Sequence, residues 1–246
     1  MSPFPSVRRP IFLSVTTHAL DNPVLEALRT NHARFAVRDG RAVRYVADVA
    51  PFVAVTDADP ATADALARLL DPDEHLYGVG PLPAPSPRLE VTDHGPLAQM
   101  VWTTRFDAPS DATVTPLTEA HLADMLELTA LVYPAYFRPR TPAMGRYVGI
   151  YDGLRLAAMA GERLYAGSWR EVSAVCTHPD YLGRGLARQL MMEVCEAILR
   201  RGETPFLHVS FANARAKTLY DRLGFTERSA IPYWQVRRAS GAADRR

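Results

Sequence analysis

The stretch CTHPDYLGRGLARQL, residues 176–190, sets two glycines, Gly183 and Gly185, at the head of a run of helix-forming residues. Glycine costs a helix backbone entropy, so two within three positions point to something that approaches the main chain closely. A strand that passes through a His-Pro-Asp turn into a helix at Gly-Arg-Gly leaves the first N–H groups of that helix unpaired and aimed outward. Those donors and the helix dipole make an anion site; Ala187 keeps it open, and Arg184 and Arg188 bring positive charge nearby. Taken alone, the turn fits either phosphate binding or a plain tight turn. A dinucleotide fingerprint needs a third small residue where Arg188 stands, and no Gly-Lys-Ser/Thr follows the glycines as a P-loop requires. There is no HExxH, no His/Cys spacing that suggests zinc, and no Gly-x-Ser-x-Gly elbow, so no metal is expected.

Two sequence elements in order decide between those readings. EVSAVCTHPDYLGRGLARQLM, followed about 25 residues later by NARAKTLYDRLGF, resembles the acyl-CoA-binding core of the GNAT superfamily of N-acetyltransferases. The superfamily turn is Gln or Arg, two residues, Gly, one residue, then Gly or Ala; here it reads Leu182, Gly183, Arg184, Gly185, Leu186, Ala187. Leu182 departs from the usual polar side chain. The second element is matched at Asn213, Ala216, Leu219, Tyr220, Gly224 and Phe225. The resemblance spans Thr113 to about Arg238 and is densest from Glu171 to Phe225. VCTHP and FRPRT (137–141) are similar to runs in glycine N-acyltransferase-like C-terminal domains.

The resemblance implies acetyl-CoA as co-substrate, with residues 182–187 around its pyrophosphate and Val175, Cys176 and Thr177 beside the pantetheine arm. A backbone N–H near Val175 would polarise the thioester carbonyl. Tyr220 falls at the family's general-acid position, where the bland reading is a core tyrosine beside Leu219 or Leu223. Asn213 would cap the short helix, bond to the cofactor, or both. Glu171, six residues before Thr177, aligns with the base of histone-type members, and strand alternation would put it on one face with Val175 and Thr177, with Cys176 opposite. Glu162 in GERL is the rival base, and a water chain the third option. His178 suits local turn bonding. Arg138 and Arg140 could clasp a substrate carboxylate or sit in a solvated loop.

Several elements must position these groups. Asn22-Pro23 and Asp59-Pro60 each pair an N-cap with a first-turn proline, ahead of VLEALRTNHARFA and ATADALARLL. IFLSVTT (11–17), VRYVADVAPFVAVTD and LEVTDHGPLAQMVWTT are strand-like, Pro51 interrupting the second. YGVGPLPAPSPRLE reads as a linker, and RFDAPSDA (105–112) as a second polar connection. From Thr113 the expected order is β, α, β, β, β, α, β, α, β, with a hairpin at Asp152-Gly153, another turn near Gly161, and Leu186, Leu190, Val194 and Ile198 on one face of the glycine-led helix. That is an α/β (α+β) fold, a mixed central sheet flanked by helices: an acetyltransferase domain over 113–246 behind an N-terminal α/β region over 1–110, a worn copy of the same fold by resemblance.

The 246 residues carry a net charge of +1 and are 48% hydrophobic and 22% charged. Such a chain buries a real core, and neither its charge nor any basic run points to nucleic acid. Two cysteines are too few for a disulfide scaffold, and no apolar run nears the length of a membrane span or a signal-peptide core. These features predict a cytoplasmic protein with no nucleic-acid or membrane partner; the resemblance implies a primary amine of a small molecule or amino acid as acceptor, and leaves monomer and homodimer both open. The alternative is a non-catalytic acyl-CoA-binding sensor or scaffold.

Overall fold

The computed structural model describes residues 18–102 and 113–240. The strand expected over 11–17 and the connection over 105–112 lie outside the described residues. Helix α1 (Pro23–Arg29) starts as its cap dictates: the Asn22 side chain accepts from the Leu25 N–H, and Pro23 sits where no N–H is needed. Strands β1 (Ala36–Asp39), β2 (Ala42–Tyr45) and β3 (Phe52–Val55) follow, with Pro51 just ahead of β3. Asp59 then caps α2 (Pro60–Leu69), accepting from the Ala61 N–H at 2.8 Å.

The segment read as a linker is partly strand: β4 (Leu76–Val79) takes up its first residues. Tyr77 and Gly78 pair with Phe52 and Val53 on one side and with Gln235 and Trp234 on the other, so long-range ladder bonds outweigh the local glycine and proline signal. The remaining elements are β5 (Leu89–Trp102), β6 (Thr115–Leu117), α3 (Leu122–Val132), β7 (Tyr147–Asp152), β8 (Arg155–Ala166), β9 (Trp169–Thr177), α4 (Leu186–Arg200), β10 (Thr204–Ser210), α5 (Ala214–Arg222) and β11 (Phe225–Arg238).

The turn expected near Gly161 falls at Gly167 instead, and Gly161 stands inside β8. Its role is close approach: a Cβ there would run into the Tyr147 ring.

The eleven strands of the described residues form one mixed sheet in the order β1-β2-β3-β4-β11-β5-β10-β9-β8-β7-β6. Strands from both sides of residue 110 share this sheet, since β5 pairs with β11 on one edge and β10 on the other. Helix α4 buries Leu190, Val194 and Ile198 against Ala158 and Ala160 of β8, while α3 sets Met125 and Leu128 against Met159. Alternation along β8 therefore puts the two helices on opposite faces. Each of those buried aliphatic side chains contributes about 1.5–3 kcal/mol relative to exposure.

Candidate active site

A cleft opens where two parallel strands part. β9 and β10 pair only from Trp169↔Thr204 to Glu171↔Phe206, yet β9 runs on to Thr177 and β10 to Ser210. The cause lies within β9. Its register with β8 jumps from Gly161↔Ser173 to Met159↔Cys176, and Ala174 adopts a left-handed φ of 50°. This is a β-bulge, which bends the strand and leaves the extra residue outside the ladder. Main-chain groups around Ala174 and Val175 thus border a cavity of about 380 Å³ that fills the parting.

The bulge also overturns the expected alternation. Val172 and Val175 pack towards the α4 face, while Cys176 packs with Met125, Leu128 and Tyr147 on the α3 face. One extra residue at the bulge reverses every side chain beyond it, so Glu171 does not share a face with Val175. Cys176 lines the cavity and is buried, and burial raises its thiol pKa to about 12.

Glu171 sits on the cavity wall with four donors on its carboxylate. Arg163 donates from Nε and Nη2, each at 2.8 Å; His208 donates from Nδ1 at 2.7 Å; the Leu164 N–H reaches it at 3.3 Å. Burial alone would raise the carboxyl pKa, but the Arg163 guanidinium and the His208 hydrogen bond outweigh it and hold the group well below the usual carboxylate range. The His208 tautomer follows from its other neighbour. Gln99 accepts from Arg228 Nη1 through Oε1 at 2.7 Å, so its Nε2 donates both to the Leu20 carbonyl at 2.9 Å and to His208 Nε2 at 3.0 Å. Arg228 in turn pairs with Asp21 at 2.6 Å, which completes a polar chain from the surface to Glu171.

Tyr220 and Asn213 also line the cavity. Burial raises the Tyr220 phenol to about 12, so it stays protonated at neutral pH. Asn213 caps α5, accepting from the Ala216 N–H at 3.1 Å. Residues Gly183–Ala187 stand outside the cavity wall, on the surface where α4 begins. Gly183 and Gly185 have φ of 80° and 77°, a Cβ on either would meet open space, and Gly185 caps α4 with no side-chain hydrogen bond. Arg184 is turned back, donating to the Asp180 carbonyl at 3.2 Å and stacking on Tyr181, while Leu182 and Arg188 are exposed.

The remaining candidates lie elsewhere. Thr177 is not among the lining residues. Glu162 is buried between Arg170 and Arg201 and does not reach the cavity wall. His178 accepts from the Asp180 N–H at 3.3 Å, as a local turn residue does. Arg140 pairs with Asp48 at 3.1 Å, and neither it nor Arg138 lines the cavity. Among the described residues no cluster of His, Cys, Asp and Glu could hold a metal ion.

The outer end of the cavity was not foreseen from sequence. Phe52 of β3, Tyr133 and Tyr136 of the segment after α3, and Tyr233 of β11 line it. Tyr136 stacks on Tyr133 with ring centres 4.6 Å apart and meets Tyr233 hydroxyl to hydroxyl at 2.5 Å. A second cavity of about 280 Å³, lined by Tyr77 and His94 among others, shares Leu97, Tyr136, Ser210 and Tyr233 with the first. The spacing of Tyr133 and Tyr136 around Pro134 is the only local signal for this region; Phe52 and Tyr77 carry none.

Residues 147–235 match the family model of FR47-like proteins. Among solved structures, the chain resembles a protein from Novosphingobium aromaticivorans assigned to the GNAT acetyltransferases, at 35% identity over 91% of this chain and 100% of that one, with a TM-score of 0.82. It shares its fold with a GCN5-related N-acetyltransferase from Kribbella flavida, at 15% identity over 91% and 98% of the two chains and a TM-score of 0.61. A GNAT-family acetyltransferase from Colwellia psychrerythraea aligns over 58% and 57% at 13% identity with a TM-score of 0.50. No curated protein matches the chain in sequence.

Proposed function

Because the chain belongs to the GNAT family of acetyltransferases, we propose that it moves an acetyl group from acetyl-CoA to a primary amine of a small molecule, both bound at once. The observation that carries this reading is the parted β9–β10 edge, which opens onto a cavity holding Tyr220 and Glu171. The unpaired edge of β9 receives the pantetheine arm as an added strand, by main-chain hydrogen bonds. The outward N–H groups at Gly185–Ala187 hold the pyrophosphate. A backbone N–H at the bulge, near Val175, stabilises the negative charge that develops on the thioester oxygen.

The amine nitrogen bonds to the carbonyl carbon as the carbon–sulfur bond breaks. Tyr220, protonated at neutral pH, gives its proton to the departing sulfur and regains one from solvent. The nitrogen loses its extra proton to water at the cavity mouth. Glu171, the sole carboxylate among the described lining residues, is a weak proton acceptor with four donors in place; paired with Arg163 it fixes the polar wall of the cavity rather than taking the amine's proton.

VCTHP and FRPRT keep their likeness to glycine N-acyltransferase-like domains, yet Arg138 and Arg140 stand off the cavity wall. No helix among the described residues is long and apolar enough to cross a membrane. Two free, buried cysteines suit a reducing compartment such as the cytoplasm.

Release of free thiol from acetyl-CoA, dependent on an added amine, tests this proposal. Tight acetyl-CoA binding with no thiol release from any amine would favour a non-catalytic binding module.

A further inference from the structure

The outer end of the cleft holds five aromatic rings from four separate segments of the chain. Phe52 lies nearly parallel to Tyr136, at 15° with centres 6.3 Å apart; Tyr77 lies at 15° to Tyr233, 5.9 Å apart; Tyr133 stacks on Tyr136. Packed against one another, these rings form a preordered apolar wall, of which Tyr133 stays 48% exposed, and such a wall offers apolar area at little entropic cost. Charge is balanced in the same chamber. Arg163 is spent on Glu171 through a bidentate pair and is stacked on Phe52, its guanidinium carbon 4.6 Å from the ring centre. Among the described residues, no other Lys, Arg, Asp or Glu lines either cavity. A substrate carboxylate, a phosphate or a second ammonium would therefore be desolvated there without a counter-charge, which is costly. An aromatic ring meets none of these penalties.

The two cavities adjoin across the Tyr136–Tyr233 hydroxyl pair, away from the glycine turn. We infer that the acceptor is an amine carried on a flat, uncharged aromatic body, which enters through the Tyr77 cavity and seats its ring among Phe52, Tyr133, Tyr136 and Tyr233. This rests on the acetyltransferase reading. The segment before residue 110 then selects the acceptor by supplying Phe52, Tyr77 and Leu97.

The test compares tryptamine and 2-phenylethylamine with lysine, spermidine and glycine as acceptors, following thiol release, with acetyl-CoA binding measured separately by calorimetry. The expected result is a kcat/KM about 10- to 100-fold higher for the two aromatic amines. Tyr136→Ala should raise KM for tryptamine about tenfold with acetyl-CoA affinity unchanged, and Tyr136→Phe, which keeps the ring and loses the hydroxyl, should raise it less. Preference for lysine, spermidine or glycine overturns the inference and leaves the acetyltransferase reading standing. So does acetyl-CoA binding with no reaction from either aromatic amine. Failure to bind acetyl-CoA at all removes the reading on which the inference rests.

Discussion

At the α4 end of the cleft the chain presents main-chain atoms on an open turn, where Gly183 and Gly185 have no neighbour within reach of an added Cβ. At the outer end it presents side chains: aromatic rings from β3, β4, the segment after α3, and β11, backed by the buried Arg163–Glu171–His208 group. The first end can recognise any ligand that brings an anion to a helix start, so it is generic and is built from one contiguous stretch. The second depends on residues that only the folded sheet brings together, and it alone can discriminate among acceptors. Binding of the donor and choice of the acceptor are thus separable, and each can be damaged without the other.

The largest effect falls on the outer end. Glu171→Gln strips Arg163 of its counter-charge in a buried site and should cost roughly 3–5 kcal/mol of stability, measured by denaturant unfolding. A loss below about 1 kcal/mol would mean that the pair is solvated, and the outer end would lose its claim to rigidity.

Acid should have the next largest effect. Burial holds His32 neutral, its pKa lowered from 6.5 to about 4, between Tyr45 and the Met144 carbonyl. Between those pH values the unfolded chain binds a proton that the folded chain does not, so stability falls as pH drops from 6.5 to about 4, by up to about 3 kcal/mol. The depressed Glu171 carboxyl acts in the same direction at lower pH: its stabilisation is present above the unfolded pKa and is lost on further acidification. Melting curves across that range, with His32→Gln as the flattened comparison, check the sign.

The donor end responds differently. Gly185→Val places a branched side chain at a φ of 77° in the path of the phosphate, and acetyl-CoA affinity should fall about 100-fold while the fold survives. Tyr220→Phe should slow transfer by about 10- to 100-fold with acetyl-CoA affinity nearly unchanged; a collapse of binding together with rate would make Tyr220 a packing residue.

The smallest effect sharpens the contrast. The Tyr147 hydroxyl is buried with no hydrogen-bond partner among the described residues, and Tyr147 lines a small recess with Arg163 and Ser173. Tyr147→Phe should therefore leave stability the same or raise it by up to about 1 kcal/mol. A drop in rate alongside that gain would mean that the bound acceptor uses the hydroxyl.

Legibility in the sequence follows the same division. Asn22, Asp59 and Asn213 cap their helices through their own side chains, so those starts could be read locally. The glycine turn and the Leu190, Val194 and Ile198 face of α4 were legible for the same reason, since each is encoded within a few residues of itself. Ala174 gives no hint of its left-handed backbone, because alanine rarely adopts it; alternation read through the bulge keeps Val175 and Cys176 on opposite faces but puts Glu171 on the wrong side relative to both. Gly161 looked like a turn because its partner, the Tyr147 ring, is reached only across the β7–β8 pair. Phe52, Tyr77 and Tyr233 met in space for reasons of topology, which no local pattern records.

A calorimetric titration of the purified protein with acetyl-CoA, CoA, NAD and ATP at matched ionic strength tests most directly whether the parted strands and the glycine turn form one donor site. A turn that works together with the β9 edge predicts micromolar binding of the two CoA species and far weaker binding of NAD and ATP, which offer phosphates but no pantetheine arm. Equal binding of ATP, or no binding of CoA, would contradict it.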